Sequence, residues 1–277
     1  MPCSFSAMIR IEEPGGWTLV GHQQHARLAG EFAVHWGNAD FAPPEPRADI
    51  LVAVARHDDA WAERDAQPVL TREGRPGAFS HELVGSYSAF EEIDLADYLA
   101  VRGRATEAVA KDNPYAAILI SMHTVNLLTQ QADLRGLAAD KLELHRRFIE
   151  GQLQRQQELS ALAATRGGEA LAPGRLRRAF EFLQFCDNLS LITCVRYPKE
   201  ITLRHQHPRR DGRMVSLVCT PLSAKHYRVA PFPFDADELR LTVPARRIAG
   251  KGFGDQALFR TAYAAAPVEN LEVNVVR

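Results

Sequence analysis

Residues 48–61, ADILVAVARHDDAW, decide how this chain is read. Ile50, Val54, His57 and Trp61 recur at helical spacing, as do Leu51, Ala55 and Asp58. The segment is therefore expected to be one helix whose apolar face ends in His57 and Asp58. The two polar residues stand about 100° apart on adjoining parts of a buried surface. Burying a carboxylate beside an imidazole is costly unless something compensates it, and a metal ion is a frequent compensator. The plainer alternative is an ion pair at a helix end. The choice turns on whether other helices bring matching side chains to the same place.

Upstream, residues 8–12 and 17–20 read as strands of a hairpin turned by Pro14-Gly15-Gly16. A helix over 22–36 follows, with His25 on the same face as Leu28, Ala29, Phe32 and Trp36. Downstream, residues 64–80 carry Pro68, Gly74, Pro76 and Gly77 and read as an irregular excursion suited to a substrate rim, with His81 beside it. A helix over 93–110 comes next, and Asn113-Pro114 starts another over 115–131. There His123 joins Ala116, Leu119, Ile120 and Leu127 on the inner face, with Ser121 and Thr124 placed to hold its tautomer. The charged helix 137–165 is expected to bury Leu142, Phe148, Ile149, Leu153 and Leu159, with His145 on the same side, and its length could serve a homodimer.

The last strong helix spans 175–195. Asp187 interrupts its stripe of Leu176, Phe180, Leu183, Leu191 and Cys194, and such a carboxylate needs a buried partner. After Tyr197-Pro198 short strands follow at 201–204, 214–219, 227–230, 239–243 and 271–275, with a helix over 253–265. The expected fold is mainly α, a helical bundle with a small antiparallel β-sheet made by the C-terminal segment and joined by the N-terminal hairpin, α+β overall. The expected division is a helical part, 1–196, and a small β subdomain, 197–277, packed on it.

Composition narrows the function classes. At 277 residues, 46% hydrophobic and 24% charged, the chain has the balance of a globular protein. A net charge of −1 supplies no basic field, so nucleic acid is not an expected partner. Cys3, Cys186, Cys194 and Cys219 lack metal-site or redox-motif spacing, which favours a reducing cytoplasm. No secretory signal is visible, and the apolar runs are too short for a bilayer, so a cytoplasmic location without membrane is expected. There is no phosphate-binding glycine loop.

Four helices thus each offer polar side chains on an apolar face: His25, His57 with Asp58, His123, and Asp187. One buried cation would satisfy several of them, and the mixed nitrogen and oxygen set suits Fe, Mn, Zn or Co better than Cu(I) or Ca. The order His25, His57-Asp58, Asp187 resembles the HD-domain metal-dependent phosphohydrolase superfamily. The strings QQHARLAGEFAVHWG, ARHDDAW, NPYAAILISMH and FCDNLSLITC resemble a bacterial domain-of-unknown-function family. The resemblance covers residues 22–196 and implies an HD-like helical bundle. It implies a metal shell of His25, His57, Asp58 and Asp187 around one or two divalent transition ions, Fe or Mn ahead of Zn. It implies metal-assisted hydrolysis of a small-molecule phosphoester. Asp58 would hold metal and orient water, and His123 would be a ligand or a proton donor. Two-metal members carry two further histidines; His123 is one, and His81 or His145 would be the other. Arg56, Lys111 and Arg196 are the cations considered for phosphate. The alternatives are a di-iron oxygenase on the same scaffold, which needs six ligands, and a non-catalytic metal-binding or assembly protein.

Overall fold

The computed structural model describes residues 8–80, 82, 84, 88–89, 94–165 and 168–277. A hairpin of β1 (Met8–Glu13) and β2 (Gly16–Val20) leads into α1 (His22–Val34) and α2 (Arg47–Arg56). A 3₁₀ turn (Asp59–Trp61), the short α3 (Ala62–Asp65), β3 (Ala78–Phe79) and β4 (Ser88–Ala89) follow. Next come α4 (Leu95–Ala110), α5 (Pro114–Gln130), β5 (Ala132–Asp133), α6 (Ala139–Ala164) and α7 (Pro173–Cys194). The chain finishes with β6 (Ile201–Pro208), β7 (Met214–Pro221), β8 (His226–Ala230), β9 (Glu238–Ala249), α8 (Gln256–Ala265) and β10 (Val268–Val276).

Local chemistry sets the helix ends. Asn113 caps α5 by accepting from the Ala116 amide, with Pro114 in the first turn where its missing N–H costs nothing. At the far end of α7, Arg196 takes a left-handed φ of 51°. The Tyr197 amide then bonds the Ile192 carbonyl at 3.0 Å and the Arg196 amide that of Thr193 at 3.2 Å, a Schellman closure that hands the chain to β6.

The expectation of a mainly α bundle with a small antiparallel sheet is corrected here. One eight-stranded sheet runs in the order β3-β1-β2-β9-β10-β8-β7-β6. It is mixed, because β1 pairs β3 and β10 pairs β8 in parallel. The cause is β9: its 238–243 half carries apolar alternation, but the Pro244-to-Ala249 half carries little and gives no strand signal by itself. Pairing on both sides, with β2 and with β10, extends it to twelve residues and fuses the N-terminal hairpin to the C-terminal strands. Helices and sheet share one core, in which Phe32, Phe185, Leu217, Tyr227, Val243 and Val273 are buried.

One further expectation changes. On α6, Leu142 and Leu153 are 40% and 46% exposed, whereas Leu159 and His145 are buried. Among the described residues no helix is long and apolar enough to cross a membrane.

β6 buries one histidine that the sequence did not single out. The His207 ring lies 4.9 Å from Phe185 and 5.2 Å from Trp36, and among the described residues its Nε2 has no hydrogen-bond partner. Burial pushes its pKa down from 6.5 to about 4. The unfolded chain takes up this proton near 6.5 and the folded chain only near 4, so the denatured state binds more protons between them. Stability is expected to fall as pH drops through that window, by up to about 3 kcal/mol from this group. Urea titrations at pH 7 and pH 4.5 measure it. His207→Leu should flatten the dependence, and an unchanged pH slope in that variant would refute the assignment.

Candidate metal centre

The helix expected over 48–61 stops at Arg56, five residues short. His57 turns its Nδ1–H back onto the Val54 carbonyl at 2.8 Å, and Asp58, at φ −118° and ψ 19°, opens a turn before Asp59–Trp61. The break aims both His57 and Asp58 inward. Asp59 stays out of the cluster and pairs with Arg27 and Arg56, each at 2.7 Å. Helix α1 packs on α2 at Gly30, where an added Cβ would stand 2.8 Å from the Ala55 Cβ. That close approach brings His25 to Asp58, with Nε2 3.1 Å from Oδ2.

Asp187 on α7 and His123 on α5 complete the cluster. His57 Nε2 is 3.3 Å from Asp187 Oδ1 and 3.8 Å from Asp58 Oδ2. His25 Nε2 is 4.0 Å from Asp187 Oδ1, and His123 Nε2 is 3.9 Å from Asp187 Oδ2. Two donor groups result, His25-His57-Asp58 and His57-His123-Asp187, each with its ligand atoms within 4.8 Å of one another. All five side chains are buried. The structure thus brings together His25, His57, Asp58, His123 and Asp187. It places His145 elsewhere, with Nε2 3.1 Å from the Leu128 carbonyl. His81 and Cys3 lie outside the described residues.

The hydrogen bonds around the cluster fix the Nδ1 protons of His25 and His57. Ser190 Oγ donates to the Asp187 carbonyl at 2.9 Å, so it accepts from His25 Nδ1–H, also at 2.9 Å. His57 Nδ1–H is spent on Val54. In their neutral forms both rings therefore aim an Nε2 lone pair at carboxylate oxygens, and His57 Nε2 has no well-directed hydrogen bond. Lone pairs facing anions in a dry interior need a cation between them. Without one, burial draws His57 down, but the charges of Asp58 and Asp187 outweigh it and raise its pKa to about 9. Burial pushes His123 down to about 3 and also lowers His25, so both stay neutral. Burial raises the Asp58 and Asp187 carboxyls, yet Arg102 for the first and the facing imidazoles for the second hold them well below the usual range. Ser121 and Thr124 do not fix the His123 tautomer: Ser121 bonds Gln152, and among the described residues His123 Nδ1 and Thr124 Oγ1 find no partner.

The donor spacing fits an ion. Bonds of about 2.1 Å put neighbouring donors roughly 3.0–3.4 Å apart and opposite ones about 4.2 Å apart. The distances of 3.1, 3.3, 3.8, 3.9 and 4.0 Å fall in that range. These buried His and Asp groups could hold a metal ion. A thiolate nucleophile is not offered in their place, since burial raises the Cys186 thiol well above its ordinary value.

Sequence reasoning missed two neighbours. Arg102 on α4 donates to Asp58 Oδ1 at 2.6 Å and lies over the Trp61 ring. The signal was present: Arg102 follows Leu95 and Leu99 on the buried face of its helix, the same anomaly that marked Asp187. His22 stacks on Trp61 at 4.4 Å and bonds Asp65 Oδ1 through Nδ1 at 2.9 Å. A cavity of about 140 Å³ opens beside the cluster, and His22, Tyr98, Arg102, Gln131, Asn188 and Arg204 are among the residues on its wall. Of the cations considered from sequence, Arg56 pairs with Asp59, Arg196 with Glu13, and Lys111 is exposed. None of the three lines this cavity.

No curated protein and no solved structure matches the chain. A family model described as "Protein of unknown function (DUF3891)" matches residues 8–250, which takes in all five clustered residues and every strand but β10, and the chain belongs to that family.

Proposed function

We propose that this centre binds a divalent transition metal, Fe or Mn ahead of Zn, and hydrolyses a small phosphoester. The resemblance to HD phosphohydrolases supplies the chemical class. One observation carries the reading: with their Nδ1–H groups spent on Ser190 and Val54, His25 and His57 turn buried Nε2 atoms onto the carboxylates of Asp58 and Asp187. His25, His57, Asp58 and Asp187 would hold the ion, with His123 as a fifth donor. When bound, such an ion supplies Lewis acidity at a phosphoryl oxygen and makes water a nucleophile at neutral pH.

The side chains carry the rest. Asp58 has one oxygen committed to Arg102 and the other turned toward the donors, so it orients water as well as binding. His123, kept neutral by burial, serves as a ligand rather than as the proton donor. The water oxygen bonds phosphorus and the ester P–O bond breaks. The leaving oxygen takes up a proton that the attacking water gives up, so a monoester yields an alcohol and inorganic phosphate. The di-iron oxygenase reading needs a sixth ligand, and the described residues bring five together.

Elemental analysis of protein purified without added metal tests the reading, followed by a phosphomonoester and phosphodiester panel with the metal found. The expected result is bound Fe, Mn or Zn, with turnover lost to a chelator and restored by that ion. Protein that holds no metal, and whose melting point is unmoved by Fe²⁺, Mn²⁺ or Zn²⁺, would overturn it.

A further inference from the structure

Beyond the donor cluster, one wall of the cavity is built by an irregularity in the sheet. Along β6 the chain advances from Thr202 to Gln206 while its partner β7 moves only from Val218 to Ser216. Within this bulge His205 adopts a φ of 64°, a conformation costly for a residue with a side chain. Bulges re-aim side chains, and this one turns Arg204 into the cavity. The surroundings hold the bulge in place. His205 Nε2 lies 2.6 Å from Gln184 Oε1, and Gln184 Nε2 donates to Asn126 Oδ1 at 2.7 Å. The Arg204 amide donates to the side chain of Asn188, next to Asp187, at 3.2 Å. The Arg204 guanidinium donates to Gln131 Oε1 at 2.8 Å, a neutral acceptor. Among the described residues its charge has no carboxylate partner, unlike that of Arg102, which Asp58 neutralises.

We infer that Arg204 is the phosphate-anchoring residue of this cavity and that the substrate is a small phosphomonoester dianion. The inference rests on the metal-centre reading above. Asp58 and Asp187 against Arg102 leave one negative charge. A divalent ion turns that into one positive charge, and Arg204 makes it two. A phosphomonoester carries close to two negative charges at neutral pH, whereas a diester carries one. Volume points the same way. About 140 Å³ is close to the volume of cavities that take up a benzene-sized molecule, enough for a phosphoryl group with a short organic arm. Pockets for drug-sized ligands run roughly 300–1,000 Å³, so a nucleotide would not be enclosed. Planar guanidinium geometry suits two phosphate oxygens at once, which an ammonium cannot match.

The test uses the full-length, metal-loaded protein with inorganic phosphate as probe, and p-nitrophenyl phosphate as substrate. In Arg204→Gln, phosphate binding by calorimetry should weaken at least tenfold and KM should rise by a similar factor, while kcat changes less. Arg204→Lys should recover part of the phosphate affinity. Metal content should stay that of the wild type in both, which separates this inference from the metal-centre reading. Phosphate bound as tightly by Arg204→Gln as by wild type would overturn the anchoring role. Wild type that binds metal but not phosphate would overturn the inference and leave the centre standing. Wild type that binds no metal would defeat the centre itself and the charge count built on it. Faster turnover of bis(p-nitrophenyl) phosphate than of the monoester would overturn the substrate class.

Discussion

Asp58→Ala protein is expected to purify with no bound metal and no turnover. Asp58 sits at the junction of the centre: its Oδ2 faces His25 and His57, and its Oδ1 accepts from Arg102. Removing it takes away an anionic donor and leaves Arg102 buried without its counter-ion. Stranding a buried charge costs about 3–5 kcal/mol, so the alanine variant should also melt at lower temperature. Asp58→Asn separates the two effects. It keeps the volume and an oxygen for Arg102 but loses the negative charge, so the fold should survive while metal content drops by at least tenfold. Circular dichroism reads the fold and elemental analysis reads the metal. Full metal content in a folded Asp58→Asn protein would mean that the ion is held elsewhere.

The second large effect is expected at Trp61. Its ring is 1% exposed and is sandwiched by side chains of the site: His22 stacks at 4.4 Å, Arg102 lies 5.1 Å from its centroid, and the Tyr98 ring 5.5 Å away. Trp61→Ala should cost about 3–5 kcal/mol, from lost burial and the cavity left behind. For a chain of this length that corresponds to a fall in melting temperature of roughly 10 °C. It should also release Arg102 and His22 from their fixed planes, lowering turnover in protein that is still folded and metal-loaded. Trp61→Phe, which keeps a ring but not the full area, should fall between the two. A melting temperature within about 2 °C of wild type for Trp61→Ala would show that this ring is not what braces the site.

Helical periodicity marked His25, His123 and Asp187 on α1, α5 and α7, and it marked His57 and Asp58 too, although those two lie just past the end of α2 and are aimed inward by the break there. The reason is physical. A polar residue on an apolar stripe is unstable unless something meets it, so several such residues on separate helices imply a shared meeting place. Arg102 obeys the same rule and could have been found by it. The local signals for α4, α5 and α7 likewise came from caps, prolines and the 3.6-residue repeat, which act within a few residues of one another.

Other features belong to the tertiary structure alone. The sheet is large because β9 gains partners on both edges, and pairing between residues as distant as Gly16 and Ala249 leaves no mark in either local stretch. The end of α2 at Arg56 depends on a side-chain bond to Val54 that periodicity cannot reveal. Arg204 reaches the cavity only because β6 bulges, and a bulge is a mismatch between two strands rather than a property of one. Helices declare their buried faces through contacts three and four residues apart. Strand partners, bulges and the wall of a cavity are decided by residues far apart in the chain, and only folding brings those together.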